Sequence, residues 1–403
     1  MKQTNDGLIG IIEEALREMP AVDKWQTKFL LTLFSTILLL RGKLNFSNLA
    51  RHSELDEKTY RRGFRREFDF ERFNLNCLAQ RASRGTLVAA LDASHLNKSG
   101  KQTYGLGKFY SGCLGKAVKG LEISELALID RDSRQAFAFS TKQTVDEAGK
   151  TRPELYACHV QACAPKLPEN LKYLLVDGYY TKKHFVDTVC GLEQGFELVG
   201  KLRCDANLRY FYRGAYSGRG RPKHYDGKVD FGNLSRFVYE GEIEPKLHLY
   251  AQTLWHVGLK RTVRVVLLLN TRPSKPRYIL LFSTDLSLIG KELVELYRLR
   301  FQIEFLFRDA KQFTGLADCQ ARDKQALHFH FNASFSAVNL AKLDLLSKHA
   351  SKQTFVFSLD NYIRRSFSHS LLSRLSSSLD LDLSCVKVNA AFADALTFGC
   401  ASS

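Results

Sequence analysis

The chain has 403 residues, of which 45% are hydrophobic and 25% charged, values typical of a globular protein with an ample core. Its 59 Lys and Arg against 42 Asp and Glu give a net charge of +17, which favours a polyanionic partner such as nucleic acid, although basic housekeeping enzymes also exist. No signal-peptide pattern opens the chain, and the apolar run at 29–40 is too short to span a bilayer. We therefore predict a protein that does not enter membranes.

The nine cysteines are an odd number and are scattered without a CxxC pair, so they imply no disulfide framework and fit a reducing cytoplasm. Cys158, His159 and Cys163 lie close together in the predicted helix ELYACHVQACA. With no second ligand pair nearby, isolated buried thiols explain them better than a zinc site does.

The pattern of residues 1–85 predicts helices, two of which are spaced as in a helix-turn-helix motif. A short helix is expected to start at Asn45 or Ser47 and to end near His52, and Asp56 is a plausible N-cap of the next helix. This second helix carries five cationic residues that are candidates for contacting DNA: Lys58, Arg61, Arg62, Arg65 and Arg66. An ordinary exposed basic helix would have the same composition.

From residue 86 the pattern changes to β-strands. TLVAALDAS predicts a strand, and GLEISELALIDR with QAFAFSTKQ predicts a hairpin around the turn DRDSR. A helix at about 152–164, the strand of YLLVD, a further helix and the strand of GFELVGKLR follow. Residues 86–202 therefore predict the first part of an α/β core, in which a mixed sheet is flanked by helices.

Residues 203–270 predict a β-rich insertion that is rich in Gly, Arg and Tyr. Its segment GRGRPK, with Arg219, Arg221 and Lys223, could place a cationic loop in the minor groove of DNA or could be a hairpin tip whose charge serves solubility. Residues 271–349 predict the second part of the core, and residues 350–403 a helical tail.

Two apolar strands of the predicted core end in an aspartate, Asp92 and Asp177. Because sites in such sheets form at the rim where strands end, these carboxylates are candidate ligands of Mg²⁺. Each of them could equally cap a helix or close a turn, as the D-R-D of residues 130–132 is expected to do.

The stretch YRLRFQIEFLFRDAK, residues 297–311, lies in a long helix predicted from about 287 to 313. At roughly 100° per residue, one narrow stripe of this helix carries a glutamate among polar and cationic residues: Tyr297, Arg300, Glu304, Arg308 and Lys311. The face expected to pack into a core carries Leu296, Leu299, Ile303, Phe307 and Ala310. The stripe alone fits either a solvated row of ion pairs or a catalytic acid beside phosphate-binding cations.

The spacing of Tyr297, Arg300, Glu304 and Lys311 resembles the Y-(2)-R-(3)-E-(6)-K signature of a large group of bacterial insertion-sequence DDE transposases. LDASHLNKSGKQTYGLGKFYSG and LLVDGYYTKKHF, the latter followed by GKLRCDANL, resemble the blocks around that group's two aspartates. The resemblance covers roughly residues 86–345. One departure is Ser94, because many relatives have a second acid or a threonine near the first aspartate.

The resemblance implies an α/β fold with a ribonuclease H-like catalytic core and a β-rich insertion. It says little about the N-terminal helices, for which the helical pattern of residues 1–85 predicts a DNA-binding region. It implies that Asp92, Asp177 and Glu304 bind two Mg²⁺ ions, for which Mn²⁺ can substitute. It also implies that Tyr297, Arg300 and Lys311 hold the phosphates of the transferred DNA end. Arg308 lies outside the signature, and we expect a structural or nonspecific role for it.

The implied function is that of a DNA transposase, which cuts and joins DNA at the ends of its own mobile element through a hairpin intermediate. Its partners would be double-stranded DNA, both the terminal inverted repeats and the target, with a dimer assembled on the DNA. Its location would be the bacterial cytoplasm, at the nucleoid. Two alternatives stay open, namely a ribonuclease H-like nuclease that does not join strands and a non-enzymatic DNA-binding regulator descended from a transposase.

Overall fold

A computed structural model describes residues 6–81, 86–111, 115–216, 218, 220–272, 277–348 and 357–400. The chain divides into two compact units. Unit 1 comprises Met1–Gly85, Ala93–Val145 and Glu304–Ser403, and unit 2 comprises Thr86–Asp92 and Asp146–Ile303. Of the segment boundaries predicted above, only the one after residue 85 coincides with a boundary between units.

The described helices are α1 Asp6–Arg17, α2 Lys24–Ile37, α3 Phe46–Arg51, α4 Glu57–Gly63, α5 Phe70–Arg81, α6 Arg152–Cys163, α7 Lys183–Cys190, α8 Gly290–Leu299, α9 Gln302–Phe313, α10 Lys324–Lys348, α11 Leu359–Ser378 and α12 Val386–Thr397. The described strands are β1 Leu87–Asn97, β2 Gly107–Ser111, β3 Lys116–Asp130, β4 Gln135–Thr144, β5 Tyr173–Val176, β6 Glu197–Leu202, β7 Leu208–Phe211, β8 Tyr225–Lys228, β9 Val238–Glu244, β10 Leu247–His256, β11 Arg261–Asn270 and β12 Arg277–Ser283.

The N-terminal helices of unit 1 begin at the predicted caps. Asn45 accepts a hydrogen bond from the backbone N–H of Asn48 at 2.9 Å and starts α3. Asp56 accepts one from the N–H of Thr59 at 2.7 Å and starts α4. The apolar run predicted at 29–40 lies largely within α2, which buries Phe29, Leu30, Leu33 and Phe34. Across the described ranges, no helix combines the length and apolarity needed to cross a bilayer.

Helix α4 is shorter than predicted, so its basic residues do not all lie on one helix. It ends at Gly63, where an added Cβ would come within 2.2 Å of the Phe29 ring, and the buried Phe64 follows as its C-cap. The tight packing needs glycine, which also favours a helix end. Arg65 and Arg66 therefore lie in the following turn, in which the N–H of Arg65 donates to the carbonyl of Arg62 at 3.2 Å.

The predicted hairpin of unit 1 is confirmed as the antiparallel pair β3 and β4. Asp130 closes its turn by accepting hydrogen bonds from the Asp132 N–H at 3.0 Å and the Ser133 hydroxyl at 2.8 Å. Helix α10 packs on β4, and its Asn332 and Asn339 side chains accept hydrogen bonds from backbone N–H groups of that strand at 3.0 and 2.8 Å. These amides pair buried backbone groups of β4 that would otherwise lack a hydrogen-bond partner.

Unit 2 contains a mixed sheet flanked by helices. β1, β5 and β6 run parallel to one another, and β12, β11, β10, β7 and β8 continue the sheet in antiparallel pairings, with β9 also paired to β10. All four residues of β5 are buried, as expected for a parallel strand covered on both faces. Helices α7 and α8 pack against this sheet.

The strands of the predicted insertion are continuous with the core sheet, because β11 pairs with β12, which pairs in turn with β6. One prediction about unit 2 needs correction. Asp92 does not end its strand, because β1 continues to Asn97 after the apolar run stops at Leu91. Asp177, in contrast, directly follows β5 as predicted.

The long helix predicted from about 287 to 313 is also wrong in detail, because it is interrupted. α8 ends with Arg300 as its C-cap, and the N–H groups of Arg300 and Phe301 bond to carbonyls three residues back, at 3.1 and 3.3 Å. This tighter turn joins α8 to α9, so the predicted polar stripe does not run along one regular helix. The predicted core face is confirmed, since Leu296, Leu299, Ile303, Phe307 and Ala310 are all buried.

Candidate active site and DNA-binding residues

Asp92 and Asp177 occupy matching positions on neighbouring parallel strands of unit 2. Ala90 of β1 is paired with Leu175 of β5, and each aspartate follows two residues later. Paired strands lie about 4.8 Å apart, and residues in the same register point to the same face. The two carboxylates are both partly exposed. Two adjacent carboxylates that water can reach form an oxygen-rich corner suited to a hard cation.

Local hydrogen bonding fixes the carboxylate of Asp177. Its Oδ1 accepts from the N–H of Tyr179 at 2.8 Å and thereby caps the 3₁₀ turn Gly178–Tyr180. A Cβ on Gly178 would lie 3.3 Å from the Lys201 carbonyl, so the turn sits close against β6. The capping role weighed from the sequence is therefore real, and it holds the carboxylate in place without removing it from solvent.

A cleft of about 660 Å³ opens beside Asp177 and contains two residues of the predicted signature, Tyr297 and Arg300. The guanidinium of Arg300 lies 5.7 Å from the centre of the Tyr297 ring. Lys201 and Arg203 also line this cleft, and the predictions did not single them out. Their position could have indicated a role, because they lie at the end of β6, and the parallel neighbour of β6 is β5, which leads into Asp177. Sites in such sheets form where parallel strands end.

Glu304 and Lys311 lie on α9, in the part of the chain that belongs to unit 1. The ammonium group of Lys311 donates to the Ser94 hydroxyl at 2.6 Å and to the His95 carbonyl at 3.4 Å. Ser94, the departure from the family pattern, thus has a defined contact. Arg308 pairs with Asp309 at 2.8 Å, in agreement with a structural role.

The predicted DNA-binding arginines near α4 divide into two pairs. Arg62 and Arg66 lie over the Trp25 ring, 4.9 and 5.1 Å from its centre, and Arg66 also pairs with Asp23 at 2.9 Å. Arg61 lies over Phe46 at 5.0 Å, and Arg65 is 3.6 Å from Asp323. The side chains of all four remain exposed, as does that of Lys223.

The cationic residues of the segment GRGRPK lie on the insertion in unit 2. Lys223 pairs with Asp226 at 2.8 Å and lies over the Tyr212 ring at 4.7 Å, and Arg221 is exposed. Arg219 lies outside the described residues. DNA contact by this segment stays a prediction.

Within the described part of the chain, no three His, Cys, Asp or Glu side chains are gathered into a group that could hold a metal ion. In α6, His159 and Cys163 are buried. Asp92 and Asp177 do fit a divalent ion in the chemistry of their oxygen donors and in their adjacent positions on paired strands.

Residues 154–340 match the family model described as "Transposase DDE domain". Seven chains of solved structures are similar to this one. One is the cryo-EM structure of a piggyBac transposase synaptic complex with hairpin DNA, with 13% identity and a TM-score of 0.44, aligned over 99% of this chain and 84% of that chain. No curated protein matches.

Proposed function

We propose that this protein is a DNA transposase that binds the ends of its own insertion sequence and performs metal-dependent cleavage and strand transfer. The observation that carries the proposal is the register of Asp92 and Asp177 on paired parallel strands, beside a cleft that contains Tyr297 and Arg300. The match of residues 154–340 to a transposase DDE domain supports the same reaction class. Glu304 is proposed as the third acid because of its place in the signature.

The pairing pattern supports a ribonuclease H-like core. Antiparallel β3 and β4, parallel β1, β5 and β6, and the intervening helices α6 and α7 are the elements that such a core requires. The strands β7 to β11 would be the insertion that precedes the acidic helix α9. Residues 1–85 are proposed as the DNA-binding region.

Asp92, Asp177 and Glu304 would hold two Mg²⁺ ions, or Mn²⁺ in their place. When bound, these ions supply an activated water or 3′-hydroxyl and stabilise the leaving oxygen of a phosphodiester. The protein's own contribution is to hold DNA: Arg300 offers paired N–H donors to one phosphate, and Lys201 and Lys311 offer point charges. These cations would position the backbone of the element end for in-line attack and would stabilise the charge that develops there.

The proposal is tested with the purified chain, Mg²⁺ and labelled duplexes that carry the inverted repeats flanking its coding region. Nicked, hairpin and joined products are separated on denaturing gels. Joined product supports a transposase, and cleavage without joining indicates the alternative of a plain nuclease. Specific binding without cleavage indicates the alternative of a DNA-binding regulator. Light scattering measures the mass of the protein–DNA complex and thereby tests whether a dimer assembles on the DNA. Duplexes with scrambled end sequences are the matched control for cleavage and binding.

A further inference from the structure

Unit 1 contains a cleft of about 900 Å³ between α4, the loop at 97–103 and the segment 317–326. Its described lining combines five cationic residues with one carboxylate, that of Asp323. The cations are Arg61, Arg65, Lys98, Lys101 and Arg322. We propose that this cationic cleft binds the sugar–phosphate backbone of DNA without reading its sequence. The inference rests on the proposed function and adds a binding site outside the candidate active site.

The positive charge of the cationic cleft is only partly compensated by the protein itself. Glu57 of α4 forms an ion pair with Arg61, and Asp323 lies 3.6 Å from Arg65. These two carboxylates offset only part of the five charges. Lys98 donates a hydrogen bond to the Cys319 carbonyl, so its ammonium group is held in the cleft by a neutral acceptor. Burial, together with the nearby charge of Arg322, lowers the pKa of Lys98. An anionic ligand would relieve this crowding of like charges.

The walls of the cationic cleft are joined by hydrogen bonds to backbone carbonyls. The N–H of Tyr104, at the end of the loop, donates to the carbonyl of Arg322 at 2.8 Å. The side chain of Gln325 donates to the carbonyl of Arg66 at 3.2 Å and ties the start of α10 to the turn after α4. Because these bonds already fix the walls, the backbone of the cleft needs little rearrangement when a ligand binds.

The chemistry of the lining favours phosphates over bases. Phe46 is the aromatic residue among the described lining residues, and it is buried and covered by the Arg61 guanidinium at 5.0 Å. The cleft therefore lacks an exposed ring on which a base could stack. Contacts to phosphates position DNA but carry no sequence information.

The test measures duplex affinity over a series of salt concentrations for Lys101→Gln/Arg322→Gln. Each lost phosphate contact flattens the slope of log K against log salt by about 0.9. We therefore expect the slope of the double variant to be flatter than that of the wild type by about 2 units. The same rule predicts roughly 50-fold weaker binding at 0.1 M salt, equally for element ends and for unrelated duplexes. The control Lys142→Gln/Lys387→Gln removes two exposed charges of unit 1 outside the cleft and should match the wild type.

Thermal unfolding verifies that each variant is folded. If the double variant does not fold, the single variant Lys101→Glu, at an exposed loop position, provides the test instead. An unchanged salt slope overturns the cleft inference, as does a loss confined to element ends. Inorganic phosphate at matched ionic strength should compete no better than chloride, and strong competition would mean a site for a small phosphate compound instead. If the chain binds DNA through the cleft but shows no Mg²⁺-dependent cleavage, the proposed function is wrong and the cleft inference stands. If the chain cleaves DNA but the double variant keeps the wild-type salt slope, the proposed function stands and the cleft inference is wrong.

Discussion

The ammonium group of Lys311 and the hydroxyl of Ser94 form a hydrogen bond of 2.6 Å. Ser94 follows the candidate ligand Asp92 by two residues in β1, and Lys311 is the last position of the predicted signature. Its second acceptor, the His95 carbonyl, lies further away at 3.4 Å. The departure from the family pattern at Ser94 therefore places a hydroxyl where it orients a candidate phosphate-binding cation.

Ser94→Ala should lower the rate of DNA cleavage about tenfold, because a hydrogen bond to a charged group contributes roughly 1.5 kcal/mol. Lys311 would keep its charge but lose its orientation, so affinity for element ends should change little. Single-turnover cleavage and filter binding measure the two quantities. Ser94→Thr keeps the hydroxyl and is the matched control. Equal rates for wild type and Ser94→Ala would exclude a positioning role for Ser94.

The three candidate ligands should each be indispensable for cleavage. Asp92→Asn, Asp177→Asn and Glu304→Gln are expected to reduce Mg²⁺-dependent cleavage at least about 1,000-fold, since a metal ion contributes several kcal/mol of transition-state stabilisation. End binding should be largely retained, and Mn²⁺ binding, measured by electron paramagnetic resonance, should weaken. Asp132→Asn, in the exposed hairpin turn, is the control and should behave as wild type. A variant that retains cleavage removes its residue from the proposed triad.

Arg300→Ala and Lys311→Ala should impair hairpin formation and joining more than the first nick. Hairpin formation requires a bent and firmly held backbone, which is the task of positioned donors beside the metals. Arg298→Ala and Arg308→Ala remove nearby cations that pair with Glu244 at 2.6 Å and Asp309 at 2.8 Å and serve as matched controls. The assay resolves the three products over time. A uniform decline of all steps would instead indicate that the two cations only offset the charge of Glu304.

Local chemistry explains which parts of the fold could be predicted. The caps at Asn45 and Asp56 and the turn at Asp130 depend on side-chain bonds to nearby N–H groups, which are visible in the sequence. No Pro or Gly marks the interruption of the helix at Arg300, so the helical period of the sequence predicts one continuous helix there. Lys201 at the cleft depends on which strands are neighbours, a nonlocal fact that no single segment contains.

The arginines near α4 should contribute to both DNA affinity and stability. Neutralising Arg61, Arg62, Arg65 and Arg66 together should flatten the salt slope by up to about 4 units. Arg62→Gln/Arg66→Gln should also lower the free energy of unfolding by about 1–2 kcal/mol, because both lie over Trp25. Denaturant unfolding and salt titration measure the two effects. If a chain that begins near residue 86 binds element ends as well as the full chain does, the DNA-binding assignment of residues 1–85 is wrong.

Lys342 should make stability rise with pH in the alkaline range. It is fully enclosed in unit 1, where its ammonium group donates to the Ala136 carbonyl at 2.8 Å. Burial lowers its pKa to about 8, although Asp309 opposes the shift. Between that value and the ordinary pKa near 10.5, the unfolded chain holds a proton that the folded chain has released. The stability gained when the buried Lys342 releases its proton is therefore absent below about pH 8 and grows as the pH rises toward 10.5.

The measurement compares wild type with Lys342→Met by urea unfolding at several pH values. The difference in unfolding free energy, wild type minus variant, should increase by about 2 kcal/mol between pH 7 and pH 9.5. Other groups that titrate in this range affect both proteins and cancel in the difference. Leu340→Met, a volume-conserving change at a buried position of the same helix, is the control and should give a difference that does not vary with pH. A flat difference for Lys342→Met as well would mean that the lysine keeps its ordinary pKa despite its burial.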